Sequence, residues 1–241
     1  MTVILAATLT ILSLPPLASC SSESEDVLGN DSSMVAFHLS GCSDSLAVYD
    51  YVNGRLIQSF KSSYNLKPSV YLRHGKHRLV FVSYPYGGFH FFEESCAISV
   101  GDIQKSIHVK VFDVNVDGMS ANPIEVEMEE VTGHTLFVKT KPSTPDFGWV
   151  EVRVSSAVVK LSLLDGSYET GELIMKRQFD LSSGGNKAFR IYLLAPPDET
   201  KVDFRFSLYN NNGELIETRE VLQRPFGRGR NEDAYVKFFY K

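Results

Sequence analysis

Short segments in which Val, Ile, Leu, Phe and Tyr alternate with polar residues recur along this chain from Met34 to Lys241, and none of the spacing is that of a long amphipathic helix. A period of two, closed each time by Gly, Pro, Asn, Asp or Ser, is the signature of half-buried strands. The series opens with Met34–Ser40, Ser45–Tyr51 and Arg55–Phe60 and continues with His77–Tyr84, Ser106–Val116, Pro123–Glu130 and His134–Thr140. Asn53-Gly54 predicts a two-residue type I′ hairpin, because both central residues of that turn need positive φ. Lys141–Gly148, with two prolines and a glycine, reads as a linker. Strands resume with Trp149–Ser156, Val158–Gly166, Ala188–Pro196, Lys201–Asn210, Glu214–Val221 and Ala234–Lys241. Val48–Ile57 and Leu208–Ile216 echo each other as Asn-Gly hairpins. So many short strands at this spacing predict an all-β chain of β-sandwich domains, 33–141 and 146–241.

The first 18 residues are almost all apolar or small, and Pro15-Pro16 breaks a run already shorter than the about 20 residues that span a bilayer. This is the pattern of a secretory signal peptide. Its end, Leu17-Ala18-Ser19-Cys20, resembles the lipobox of bacterial lipoproteins, which implies cleavage after residue 19 and acylation of Cys20. Residues 20–32 then form an acidic, serine-rich tether, and "SSESED" resembles the surface-export signal of Bacteroidetes lipoproteins. The departure from that pattern is the missing basic n-region, since the first Lys or Arg is Arg55.

Composition excludes some partners. Charged residues are 22% and hydrophobic residues 43%, enough to build a core. The net charge is −5 and the only basic cluster is the short Arg224–Arg230, which argues against a nucleic-acid partner. With Cys20 assigned to lipid, Cys42 and Cys96 are a disulfide candidate in an exported chain. Neither has a CxxC partner, so no zinc site is expected.

No set of residues reads as catalytic: G-x-S-x-G, HExxH and P-loop motifs are all missing. Asp113–Gly118, "DVNVDG", matches the first half of a calcium loop, but its twelfth position is Ile124 where a bidentate Glu is needed. It reads instead as a strand running into a turn. His74–His77, "HGKH", reads as a turn flanked by solvated histidines rather than a metal site. The densest aromatic patch is Tyr84–Phe92, "YPYGGFHFF". Core packing explains it most simply. The alternative is a glycan platform of Tyr84, Tyr86, Phe89 and Phe92, whose ring faces would stack on sugars. No metal and no cofactor is expected.

Laid out as strands, "SLAVYDYVNGRLIQSF" and "YLRHGKHRLVFVSYPYGG" resemble the first domain of the fimbrillin-like lipoproteins of Bacteroidales, which include minor fimbrial anchor subunits. His77 stands where that family usually has an aromatic. "IYLLAPPDETKVDFRFSLYNNNGELIETREV" and "RPFGRGRNEDAYVKFFYK" resemble its second half, with Arg230-Asn231 at a closing basic-Asn position. The resemblance implies two tandem Greek-key, transthyretin-like β-sandwich domains after the signal peptide. It implies a non-enzymatic, outer-membrane, lipid-anchored and surface-exposed protein that anchors, caps or accessorises a fimbria. Its partners would be fimbrial subunits joined by strand addition, and the terminal Ala234–Lys241 is the segment able to detach. Polymerising members are processed at an arginine; Arg55 lies inside a predicted hairpin, so an anchor or accessory role is expected. The alternative is a carbohydrate-binding outer-membrane lipoprotein of a glycan-uptake system.

Overall fold

The computed structural model describes residues 31–41, 45–62, 67–84, 89–101, 103, 105–118, 122–133, 137–140, 147–178, 190–229 and 235–238. Residues 1–30, with the expected signal peptide and Cys20, lie outside these, as do the expected linker positions 141–146. Among the described residues every regular element is a strand.

In the N-terminal half the strands are β1 (Ser32–Ser40), β2 (Ser45–Val52), β3 (Arg55–Ser62), β4 (Ser69–Arg73), β5 (Gly75–Tyr84), β6 (Phe89–Phe92), β7 (Ala97–Val100), β8 (His108–Val116), β9 (Ile124–Glu127), β10 (Glu129–Glu130), β11 (Thr132–Gly133) and β12 (Phe137–Thr140). A three-stranded sheet, β4-β1-β9, faces a five-stranded one, β10-β8-β5-β2-β3. Val35, Phe37 and Leu39 of β1 pack between them on Leu46, Val48, Leu79 and Phe81, and Phe37 meets Phe81 edge to face at 5.1 Å. The β2–β3 hairpin turns at Asn53 and Gly54 with φ of 53° and 77°, as the Asn-Gly pair requires.

The five-stranded sheet is apolar on both faces, which explains why seven consecutive residues of β2, Ser45–Tyr51, are buried. Ala47, Tyr49, Tyr51, Val80, Val82 and Val109 on its second face pack on Ile98, Ile103 and Ile107, and on Val158, Leu161 and Leu194 from the C-terminal half. A single apolar cluster therefore spans both halves, and residues 32–241 form one compact unit.

The C-terminal strands are β13 (Phe147–Ser162), β14 (Tyr168–Gln178), β15 (Leu193–Leu194), β16 (Thr200–Asn210), β17 (Leu215–Phe226) and β18 (Tyr235–Phe238). β13 is one strand of 16 residues where the sequence suggested two. Its register slips between Val154 and Ala157, at a bulge where Ser156 has φ 60°. A bulge bends a strand and re-aims the residues beyond it. Before the bulge β13 pairs with β14 and β16; after it, Lys160–Ser162 pair with β7. The β6–β7 hairpin thus leaves the N-terminal half and extends the C-terminal sheet. Val150, Val152, Val154, Phe204, Phe206 and Leu208 line that sheet's buried face. Of the expected strand over Ala188–Pro196, the described residues from Arg190 on hold only the two of β15, and β14 is a strand that alternation did not reveal. The terminal strand β18 is paired, parallel, with β12.

Candidate functional site

Strand addition needs an unguarded sheet edge, and edges are normally blunted by bulges, prolines or inward-pointing charge. Edge strand β17 is guarded. Glu217, Arg219 and Val221 lie opposite the inward-facing Leu208, Phe206 and Phe204, so two charges sit on its core side. It also carries a bulge before Gln223, whose φ is 53°, and Pro225. Edge strand β3 is tied down: Gln58 Nε2 donates to the Tyr71 carbonyl of β4 at 2.8 Å. Edge strand β9 has four residues and follows Pro123.

β14 differs. Eleven residues long, it pairs among the described residues with β13 alone. Its register holds without a shift from Leu173↔Val154 to Gln178↔Trp149. Leu173 and Met175 pack inward, and Ile174 points outward, 48% exposed. Three of its charges are held on the sheet: Glu172 lies 3.7 Å from Arg153, Glu169 bonds Lys160 at 3.0 Å, and Lys176 sits 4.7 Å from the Trp149 ring centre. Arg177, opposite core-lining Val150, is one inward charge where β17 has two together with a bulge and a proline.

A cleft of about 560 Å³ lies where the five-stranded sheet meets the β13–β14 turn. The same alternation that makes the sheet's second face apolar at Tyr49, Val80 and Val111 turns polar past the cover of the C-terminal half. There Lys76 lies opposite Asn115, and Arg78 opposite Asp113. Asn53 and Gly54 of the hairpin turn, with Tyr51, His77, Val114 and Leu164, complete the lining. Arg78 Nε and Nη2 reach the two oxygens of Asp113 at 2.7 and 2.8 Å. That bidentate fork fixes both side chains in a plane. The hydrogen bond from Arg78 holds the Asp113 carboxyl below its ordinary range. Asp113 is thus engaged by an arginine inside β8, and "DVNVDG" reads as strand and bend.

His77, which the sequence places in solvent, is only 6% exposed, with Nδ1 2.8 Å from Asp50 Oδ1 and Nε2 2.8 Å from the Arg73 carbonyl. Gln58 Nε2 donates to the other Asp50 oxygen at 3.0 Å. The imidazole, at a position where the family resemblance implies an aromatic, ties β5 to β2 and to the end of β4.

Cys96 is a free thiol, fully buried. Its expected bridge partner, Cys42, lies outside the described residues. Burial pushes the Cys96 thiol up to about 11, and burial first, then Cys96, raises Tyr51, whose hydroxyl donates to the Glu93 carbonyl at 2.5 Å.

Of the aromatic platform, Tyr86 lies outside the described residues, and Tyr84 and Phe89 are placed only as the last residue of β5 and the first of β6. Phe92 is 36% exposed, but Lys160 Nζ sits over its ring at 5.3 Å and His90 meets it edge-on at 4.4 Å. Phe91 is stacked on Tyr49 at 3.9 Å, as core packing. On the C-terminal sheet Trp149 stacks on Tyr209 at 4.0 Å, with Lys176 near its ring. Among the described residues these are separate pairs, Phe91 with Tyr49 in the shared core and Trp149 with Tyr209 on the C-terminal sheet.

The chain matches no protein-family model and no curated protein sequence. Its fold has counterparts among solved structures. A candidate adhesin from Bacteroides ovatus aligns over 84% of this chain and 92% of its own, with a TM-score of 0.56 at 12% identity. A candidate polysaccharide-binding protein from Bacteroides thetaiotaomicron aligns over 87% and 91%, with a TM-score of 0.57 at 10% identity. A second Bacteroides ovatus candidate adhesin aligns over 78% and 77%, with a TM-score of 0.52 at 9% identity. At such identities the likeness is one of architecture, and the all-β fold of this chain is the one these Bacteroides proteins share.

Proposed function

We propose that this chain is a cell-surface adhesion or assembly protein that engages a partner by strand addition at β14 and performs no chemistry of its own. One observation carries the reading: an eleven-residue strand without proline that pairs, among the described residues, with β13 alone. An extended segment laid along such an edge gains main-chain hydrogen bonds at every second residue, with side-chain pockets setting specificity. The fold shared with candidate adhesins supports the reading. In this reading Cys20 carries the lipid, the tether 20–32 keeps the folded unit clear of the outer membrane, and the partner is a fimbrial subunit.

The test is gentle detergent extraction of the tagged chain from native outer membranes, with wild type and Ile174→Lys in parallel. The lysine blunts the edge at an exposed position without touching the core. Recovery of a filament subunit in heat-resistant complexes with the wild type, and its loss with Ile174→Lys at unchanged melting temperature, is expected. Equal recovery with both removes β14 from the assembly mechanism.

A further inference from the structure

We infer that the cleft between the five-stranded sheet and the β13–β14 turn is a saccharide-binding site that favours an acidic sugar. Its chemistry points to a ligand that both donates and accepts hydrogen bonds. The Asp113 carboxylate spends one direction of each oxygen on Arg78 and keeps lone pairs toward the cleft. Arg78 keeps three N–H groups. The side-chain amides of Asn53 and Asn115 line the cleft with both donors and an acceptor each. A vicinal diol fits a fixed arginine–carboxylate fork: one hydroxyl accepts from guanidinium, and its neighbour donates to carboxylate. Phosphate fits poorly, because its up to two negative charges would meet that of Asp113 and it lacks the C–H face that Leu164 and Val114 would cover.

The charged groups lining the cleft are Lys76, Arg78 and Asp113, two positive and one negative. The surplus is one positive charge, at Lys76, next to Asn115 in the register. One carboxylate on the ligand balances it. Leu164, 46% exposed, and Val114 give the C–H face of a sugar ring an apolar wall. Gly54 has nothing within 4 Å of the place a Cβ would occupy, so the hairpin turn leaves the cleft open on that side. The volume is within the range of small-ligand sites, and such sites favour clefts between packed halves. The polar groups stand on β5, β8 and a two-residue turn, which pre-organises them. No free aromatic face is needed.

The test uses the full chain and three probes, tetragalacturonate, 3′-sialyllactose and lactose, by titration calorimetry with inorganic phosphate as competitor. Saturable binding of at least one acidic probe, at least about ten-fold tighter than lactose, is expected, since one added charge contact is worth about a factor of ten. Lys76→Ala and Asn115→Ala, both at the surface, should each weaken it by about ten-fold or more with unchanged melting temperature, and Arg78→Ala should abolish it. Ile174→Lys should leave it intact, so the outcome is separate from that of strand addition. No saturable binding of any probe, binding indifferent to the three cleft variants, or displacement by phosphate at matched concentration overturns the assignment.

Discussion

Removing both partners of the buried Asp50–His77 pair should cost clearly less than the sum of removing each alone. Asp50 is 2% and His77 6% exposed, and four strands, β2 to β5, meet at them. His77→Leu leaves the Arg73 carbonyl and one Asp50 oxygen without donors, while Gln58 still holds the other. A buried carboxylate stripped of its main partner costs about 3–5 kcal/mol. Asp50→Leu orphans Nδ1 of His77 and one bond of Gln58, whose amide keeps Tyr71; about 2–3 kcal/mol is the expected loss. In the double variant both groups are apolar and little is left unsatisfied. Its cost should fall short of the sum by at least about 1.5 kcal/mol. At about 2–4 °C per kcal/mol for a unit of this length, His77→Leu should lower the melting temperature by roughly 6–20 °C. The assay is urea unfolding of the four proteins, read by circular dichroism with the slope checked for constancy. A His77→Leu cost under about 1 kcal/mol, or additivity within about 0.5 kcal/mol, would refute the coupling.

The Cys96 thiol should be silent to a disulfide reagent in the native protein at pH 8 and react on unfolding in guanidinium. Because folding raises its pKa to about 11, any stability it confers is full below the unfolded thiol value of about 8.5 and is lost as pH rises toward 11. Rapid native labelling at Cys96 on a peptide map contradicts its burial. Asp165, in the β13–β14 turn, is pulled down to about 2 by the Ser162 hydroxyl first and then by the backbone and hydroxyl of Ser167. Its contribution is present above the unfolded value of about 3.9 and fades as pH falls through about 2. Asp165→Asn should therefore flatten the stability profile between those limits; an unchanged profile counts against the turn contact. At Gly133 an added Cβ would lie 1.9 Å from the Gly227 carbonyl oxygen, backbone that cannot rotate away. Gly133→Ala should cost about 1–3 kcal/mol by chemical denaturation, and a neutral result would mean that the two turns separate easily.

Where local chemistry decides, the sequence was readable. Asn53-Gly54 predicts its own turn because few residues accept positive φ at two successive positions, and the structure has both. Alternation located β1, β5 and β8, since a strand with one wet face must alternate. The all-β class comes from the same period. It was less readable in β14, where "GELIMKRQ" lies at an edge, and β2, buried on both faces, where the apolar run is nearly unbroken. The candidate sites were hardest to see. The cleft joins Lys76 and Arg78 to Asp113 and Asn115, about 40 residues on, through strand register alone.

By itself the sequence determined the period of the strands, the hairpin at Asn53-Gly54 and the apolar content of the core, all of them properties of neighbouring residues. Only the tertiary structure decided that β7 crosses to β13, that β14 pairs, among the described residues, with β13 alone, and that His77 lies under Asp50. These depend on which strands pair over long separations. Pairing is settled by the burial of whole faces, and no short stretch of chain carries that information.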